Sequence, residues 1–120
     1  MNKYRGTDKD IHTRIYKFVV NCFRDVVKKI PKNTENIPII SQVSSSLTSI
    51  GANDQEADAT TSKKDFIAKY AIVKKETKET NYWLKVIDEM NLGYVDKINP
   101  LIQEGQEIEA IVSSIVQKSK

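Results

Sequence analysis

Arg14, Lys17, Asn21, Arg24 and Lys28 recur at steps of three, four, three and four residues. On a helix of 3.6 residues per turn this spacing gathers all five within about 80° of one another. Fixed cations in a row meet repeated phosphates by plain electrostatics, without reading any base. An amphipathic helix that turns charge toward water shows the same pattern, and charge runs more often have that origin. Both readings stand at this stage.

A second basic line runs through Lys63, Lys74, Lys78 and Lys85, with Tyr70 and Asn81 nearby. Cations beside an aromatic ring can hold a phosphate backbone and stack a base. Here too the solvated face competes, since Lys75 and Glu79 look like an ordinary i,i+4 pair. Carboxylates cluster at Asp54, Glu56 and Asp58 and again at Glu76 and Glu79. Helix bundles hold paired metal ions with such groups, but through Glu-x-x-His motifs, and the lone histidine, His12, lacks that spacing. No metal and no cofactor are therefore expected. Glu56 and Glu76 are better read as charge-assisted contacts to lysines or helix N-termini. Cys22 falls on an apolar face and reads as a buried, inert thiol. Neither it nor the Ser44 to Ser46 run has a histidine–acid pair to activate it as a nucleophile, so no catalytic residues are assigned.

These side chains are carried by one domain of 120 residues. Lysine and arginine outnumber aspartate and glutamate by 19 to 16, too small an excess to imply a polyanionic partner by itself. The distribution says more: Met1 to Lys32 holds nine basic residues against three acidic ones, leaving the remainder net acidic. No apolar run approaches the roughly 20 residues of a membrane span. The polar start, Met1 to Asp10, does not suit a secretory signal. A single cysteine excludes an internal disulfide, and the cytoplasm is the expected compartment.

Four helices are predicted. The first runs from about Asp8 to Ile30, capped by Thr7 or Asp8 and stopped by Pro31, with Ile11, Ile15, Phe18, Val19, Cys22, Phe23, Val26 and Ile30 inward. The second begins at Pro38 and buries Ile39, Val43, Leu47, Ile50 and Ala57. Its serines, Thr48 and Gly51 are weak helix formers, which predicts tight packing or a bend around Ser49 to Asn53. Ser62 and Asp65 form an acidic capping box that opens the third helix, which reaches about Asn91 before Gly93. Phe66, Tyr70, Val73, Thr77, Leu84 and Ile87 share its main apolar face. Ile72, Trp83, Val86 and Met90 make a second stripe, more than one core needs, which points to a subunit interface. Adjacent Tyr82 and Trp83 cannot both face one core, so one belongs at a seam. The fourth helix spans Asp96 or Asn99 to Lys118, with Asn99 as the better cap and Gly105 as a weak point. Short connections make the whole an all-α, antiparallel up-down-up-down four-helix bundle.

The string from Thr48 to Leu84 carries a resemblance. Thr48 to Asn53, Glu56, Ala57, Ser62, Asp65, Phe66, Lys69, Lys75, Glu76, Glu79, Thr80, Tyr82, Trp83 and Leu84 are similar to the central signature of bundle proteins encoded in intervening sequences of bacterial large-subunit ribosomal RNA genes. These are also described as ribosomal-protein-like and are related to accessory proteins of diversity-generating retroelements. The resemblance implies a four-helix bundle and a homo-oligomer, by analogy a pentamer with a central channel. In the retroelement relatives a positive surface serves nucleic-acid and reverse-transcriptase binding. Carried over, that role falls on Arg14, Lys17, Arg24 and Lys28, with Lys63, Lys74 and Lys78. The chain departs from many relatives in having Ser44, Ser45 and Ser46 where an arginine precedes the signature, and Val73 and Thr77 where alanines are common. The leading expectation is a non-enzymatic module that engages RNA or a nucleoprotein. Its competitor is a protein-interaction scaffold whose basic face is merely solvated.

Overall fold

A computed structural model describes residues 10 to 119, the side chain of Ser119 excepted. Four helices account for nearly all of it: α1 (Ile11–Asp25), α2 (Ile37–Asp58), α3 (Lys63–Glu89) and α4 (Ile98–Ser119). Each helix packs on its neighbours in chain order and α1 closes against α4, which is the square of an up-down-up-down bundle. Ile11, Ile15, Phe18 and Cys22 of α1 meet Val43, Leu47 and Ile50 of α2, Phe66, Tyr70, Leu84 and Ile87 of α3, and Ile108 and Val112 of α4 in one core. The four expected helices are observed, and their inner faces are as expected except that Val19, Phe23, Ile39 and Ile111 are only partly buried against the core.

The ends differ from expectation in ways that matter. Asp10 caps α1, its carboxylate accepting from the Thr13 N–H at 3.0 Å; the expected caps Thr7 and Asp8 lie outside the described residues. The α-helix also stops at Asp25 rather than Ile30, and Val27–Lys29 form a 3-10 turn that keeps Val26, Val27 and Ile30 buried. Ile37 opens α2, with Pro38 just inside the first turn. α4 starts at Ile98, so Asn99 is not its cap, and Pro100 sits in the first turn, where backbone N–H groups need no helical partner. Ser62 caps α3, accepting from the Asp65 N–H at 3.1 Å, but the reciprocal bond of the expected capping box, from the Ser62 N–H to the Asp65 carboxylate, is not formed.

The poor helix formers of α2 have a specific use, although not the bend considered for Ser49 to Asn53: the helix is unbroken there. Ser46 is buried and bonds Thr80 of α3 at 2.6 Å, so a small polar residue joins the two helices of the widest contact. After α3, Asn91 (φ 54°), Gly93 (φ 71°) and Tyr94 (φ 51°) take left-handed backbone. A Cβ on Gly93 would lie 2.6 Å from the Lys29 carbonyl oxygen, so the α3–α4 connection rests directly on the turn that follows α1.

Gly105, which reads as a flaw from sequence, is a point of contact. A Cβ there would fall 2.1 Å from Asn81 Oδ1 and 3.0 Å from Phe18 Cζ. Asn81 is buried and bonded across the interface, so it cannot simply swing away. A Cβ on Gly51 would meet only Val19 Cγ2, at an ordinary 3.9 Å. The two glycines should answer alanine with opposite signs in urea unfolding. Gly51→Ala is expected to gain up to ~1 kcal/mol from helix propensity, and Gly105→Ala to lose ~1–3 kcal/mol to overpacking.

Candidate functional site

The α1 ridge does not present one uniform row. Arg14 is half-buried and reaches α4, where Nε donates to Glu104 Oε2 at 2.9 Å and Nη2 to Oε1 at 2.5 Å, a bidentate fork. Nη2 also donates to Glu107 at 3.1 Å. The bond to Glu104 holds the guanidinium above its ordinary range, and two carboxylates answer its charge. Arg24 stays exposed, donating to Asn21 Oδ1 at 2.5 Å and to Asp25 at 3.3 Å. Lys17 faces solvent. Lys28 is exposed too, but it belongs to the 3-10 turn, where each residue advances by about 120° rather than 100° and the helical register is lost. The structure thus separates the four: Arg14 stitches α1 to α4, Lys17 and Arg24 share an outer face, and Lys28 stands apart.

The α3 line is more coherent. Lys63, Lys74, Lys78 and Lys85 are all exposed on one unbroken helix. By helical geometry they lie within about 60° of one another. Among the described residues none of the four forms an ion pair. Tyr70 is not their aromatic partner: its ring is fully buried, stacked on Phe66 at 4.8 Å. That place falls to Tyr82, which is 59% exposed.

Lys78, Asn81, Tyr82 and Lys85 of α3 and Glu109 of α4 line a surface groove of about 260 Å³. Asn81 forms its floor. The amide Nδ2 donates to the Gly105 carbonyl at 3.0 Å and to Glu109 Oε1 at 2.8 Å, while Oδ1 is buried with no hydrogen-bond partner. Tyr82 stands edge-on to Trp83, with centroids 4.9 Å apart and an interplanar angle of 76°. Trp83 is half-buried against the core, and its indole N–H donates to Glu79 at 3.2 Å. Of the second apolar stripe, Ile72 and Met90 are exposed, while Trp83 and Val86 are half-buried.

A third cluster was missed. His12 Nδ1 lies 2.5 Å from Asp54 Oδ2, and the Tyr70 hydroxyl donates to Asp54 Oδ1 at 2.5 Å. Asp58 Oδ2 lies 3.8 Å from the same imidazole nitrogen. This histidine–acid pair serves neither Cys22 nor the serine run, and the sequence reading did not find it because its members stand 42 positions apart on α1 and α2 and no local spacing announces it. Asp54 is 2% exposed, so its oxygens tie α1, α2 and α3 together rather than facing a substrate. Cys22 is ten residues further along α1, about 15 Å by helical rise. Glu56 takes its expected lysine partner, Lys69, at 2.7 Å. Among the described residues no group of three or more His, Cys, Asp or Glu side chains is placed to hold a metal ion. None of the described helices is long and apolar enough to cross a membrane.

The profile described as 23S rRNA-intervening sequence protein matches residues 7–114. The chain belongs to that family. The chain is also similar to a crystal structure from Bacteroides thetaiotaomicron, described as a protein with unknown function from the S23 ribosomal protein family. That structure is 28% identical, with 89% of this chain and 98% of that one covered and a TM-score of 0.76. No curated protein matches the chain.

Burial pushes the Cys22 thiol up to about 12 from an ordinary 9.0, with the charge of Asp25 adding to the effect. The folded state thus holds this proton more tightly than the unfolded chain. Its contribution to stability is complete below about pH 9 and is lost as pH rises toward 12. At pH 8 a thiol reagent should leave Cys22 untouched in the folded protein and label it at once in urea.

Proposed function

We propose that this chain is a non-enzymatic helical bundle that binds RNA, alone or within a nucleoprotein, by phosphate contacts along a basic helix face. The observation carrying this reading is the set of exposed lysines on α3, Lys63, Lys74, Lys78 and Lys85, aligned on one rigid helix without ion-pair partners among the described residues. Unneutralised cations retain their full attraction for a polyanion, whereas Arg14 already has Glu104 and Glu107. Lys17 and Arg24 supply a secondary patch. The line ends at Asp88 and Glu89, one turn past Lys85, which bounds the strand path.

The test is binding of labelled RNA at a series of salt concentrations. Replacing Lys63, Lys74 and Lys78 with glutamine together should reduce the slope of log K against log salt by about 0.7–0.9 for each phosphate contact removed. The triple variant should bind at least tenfold more weakly at low salt. Arg14→Gln should leave the slope unchanged. An unaltered slope in the triple variant, or no RNA binding by the wild type even in low salt, favours instead a scaffold whose partner is another protein.

A second reading concerns self-association, and Ile72, Trp83, Val86 and Met90 support it. They lie about 150° around α3 from the lysine line, so a subunit contact there leaves the cations exposed. Met90 is 61% exposed in the single chain, and such an apolar stripe gains from a partner surface. The proposed assembly is a homo-oligomer, by family analogy a pentamer. Light scattering should report a multiple of the 13.7 kDa chain mass, and the double variant Val86→Glu, Met90→Glu should reduce it to one. A wild-type monomer at micromolar concentration overturns this reading.

A further inference from the structure

We infer that the groove formed by Lys78, Asn81, Tyr82, Lys85 and Glu109 receives one unpaired base of a single-stranded nucleic acid. The inference rests on the phosphate-binding reading above and adds the state of the strand. Tyr82 follows Lys78 by four residues and precedes Lys85 by three, so the aromatic ring sits between two cations on the same flank of α3. Its exposed ring offers a face on which a base can stack, and Trp83, edge-on behind it, restricts the directions the ring can take. Every base has a π-face, so this contact tolerates any sequence. A base inside a duplex has both faces covered by its neighbours and cannot make the contact.

Size and polarity agree with a single ring system. The groove's 260 Å³ falls below the roughly 300–1,000 Å³ of pockets that enclose drug-sized ligands. Glu109, the one carboxylate lining it, is held over the groove by Asn81 Nδ2 at 2.8 Å. A carboxylate has about four lone-pair sites, so it can still accept from the N–H or amino group of a base edge. Lys78 and Lys85, both exposed, flank Tyr82 along α3 and can meet the phosphates on either side. Glu109 would repel a phosphate seated in the groove itself, which leaves the base inside and the backbone along the lysines.

The experiment uses the full chain and two probes in low salt: a labelled single strand of about 16 nucleotides, at the upper end of known single-strand site sizes, and the same sequence as a duplex. Tyr82→Ala should weaken single-strand binding roughly ten- to a hundredfold and leave duplex binding unchanged. Tyr82→Phe should retain wild-type affinity for both. Lys74→Gln, outside the groove, should weaken both alike. In the wild type, single strand but not duplex should alter the emission of Trp83, the only tryptophan, and this readout needs no variant. Equal losses for both probes in Tyr82→Ala, or no loss at all, overturn the groove while leaving phosphate binding in place. If the wild type binds neither probe, both readings fall together.

Discussion

The amide of Asn81 reaches across from α3 to the carbonyl of Gly105, and the placement of the candidate surface depends on that contact. It requires α4 to have no side chain at position 105, since any Cβ would occupy the space of the amide oxygen. It also fixes rotation: with Asn81 inward, Lys78, Tyr82 and Lys85 have no choice but to line the rim. The same nitrogen bonds Glu109, so one buried side chain sets the helix spacing and aims the only acidic group of the groove. The orphaned Oδ1 is the counterpart of this arrangement, a buried acceptor forgoing a hydrogen bond, at a typical expense of ~1–3 kcal/mol.

Similar polar links mark the other helix pairs. Asp54 joins α2 to α1 through His12 and to α3 through Tyr70, Ser46 meets Thr80, and Arg14 grips Glu104. Apolar faces alone pack in several rotations with little difference in energy. A buried donor left without its acceptor is far less tolerant. Each link matches one helix to one neighbour, so together they select a single arrangement of four amphipathic rods.

The rods themselves were legible because a 3.6-residue period is a local signal. Ile11, Ile15, Phe18 and Cys22 announce a buried face without knowledge of what covers it. Pairings between helices leave no such trace. Nothing near Arg14 foretells Glu104, 90 residues on, and nothing near His12 foretells Asp54. The α1 ridge was over-read for the same reason, and also because a change from α to 3-10 geometry after Asp25 displaces Lys28. Tyr70 lies at the margin between the apolar face and the lysine line, where angle alone does not decide. Its bond to buried Asp54 decides it. The α3 lysines were legible because their helix runs unbroken from Lys63 to Glu89.

The contact between Gly93 and the Lys29 carbonyl has a topological corollary. Two of the three connections lie at that pole of the bundle and brace each other, making a blunt, closed cap. The start of α1 and the finish of α4 both lie at the opposite pole, beside the α2–α3 turn. The first turn of α1 and the last turn of α4 therefore leave the bundle on the same side, and the braced pole is built from connections alone.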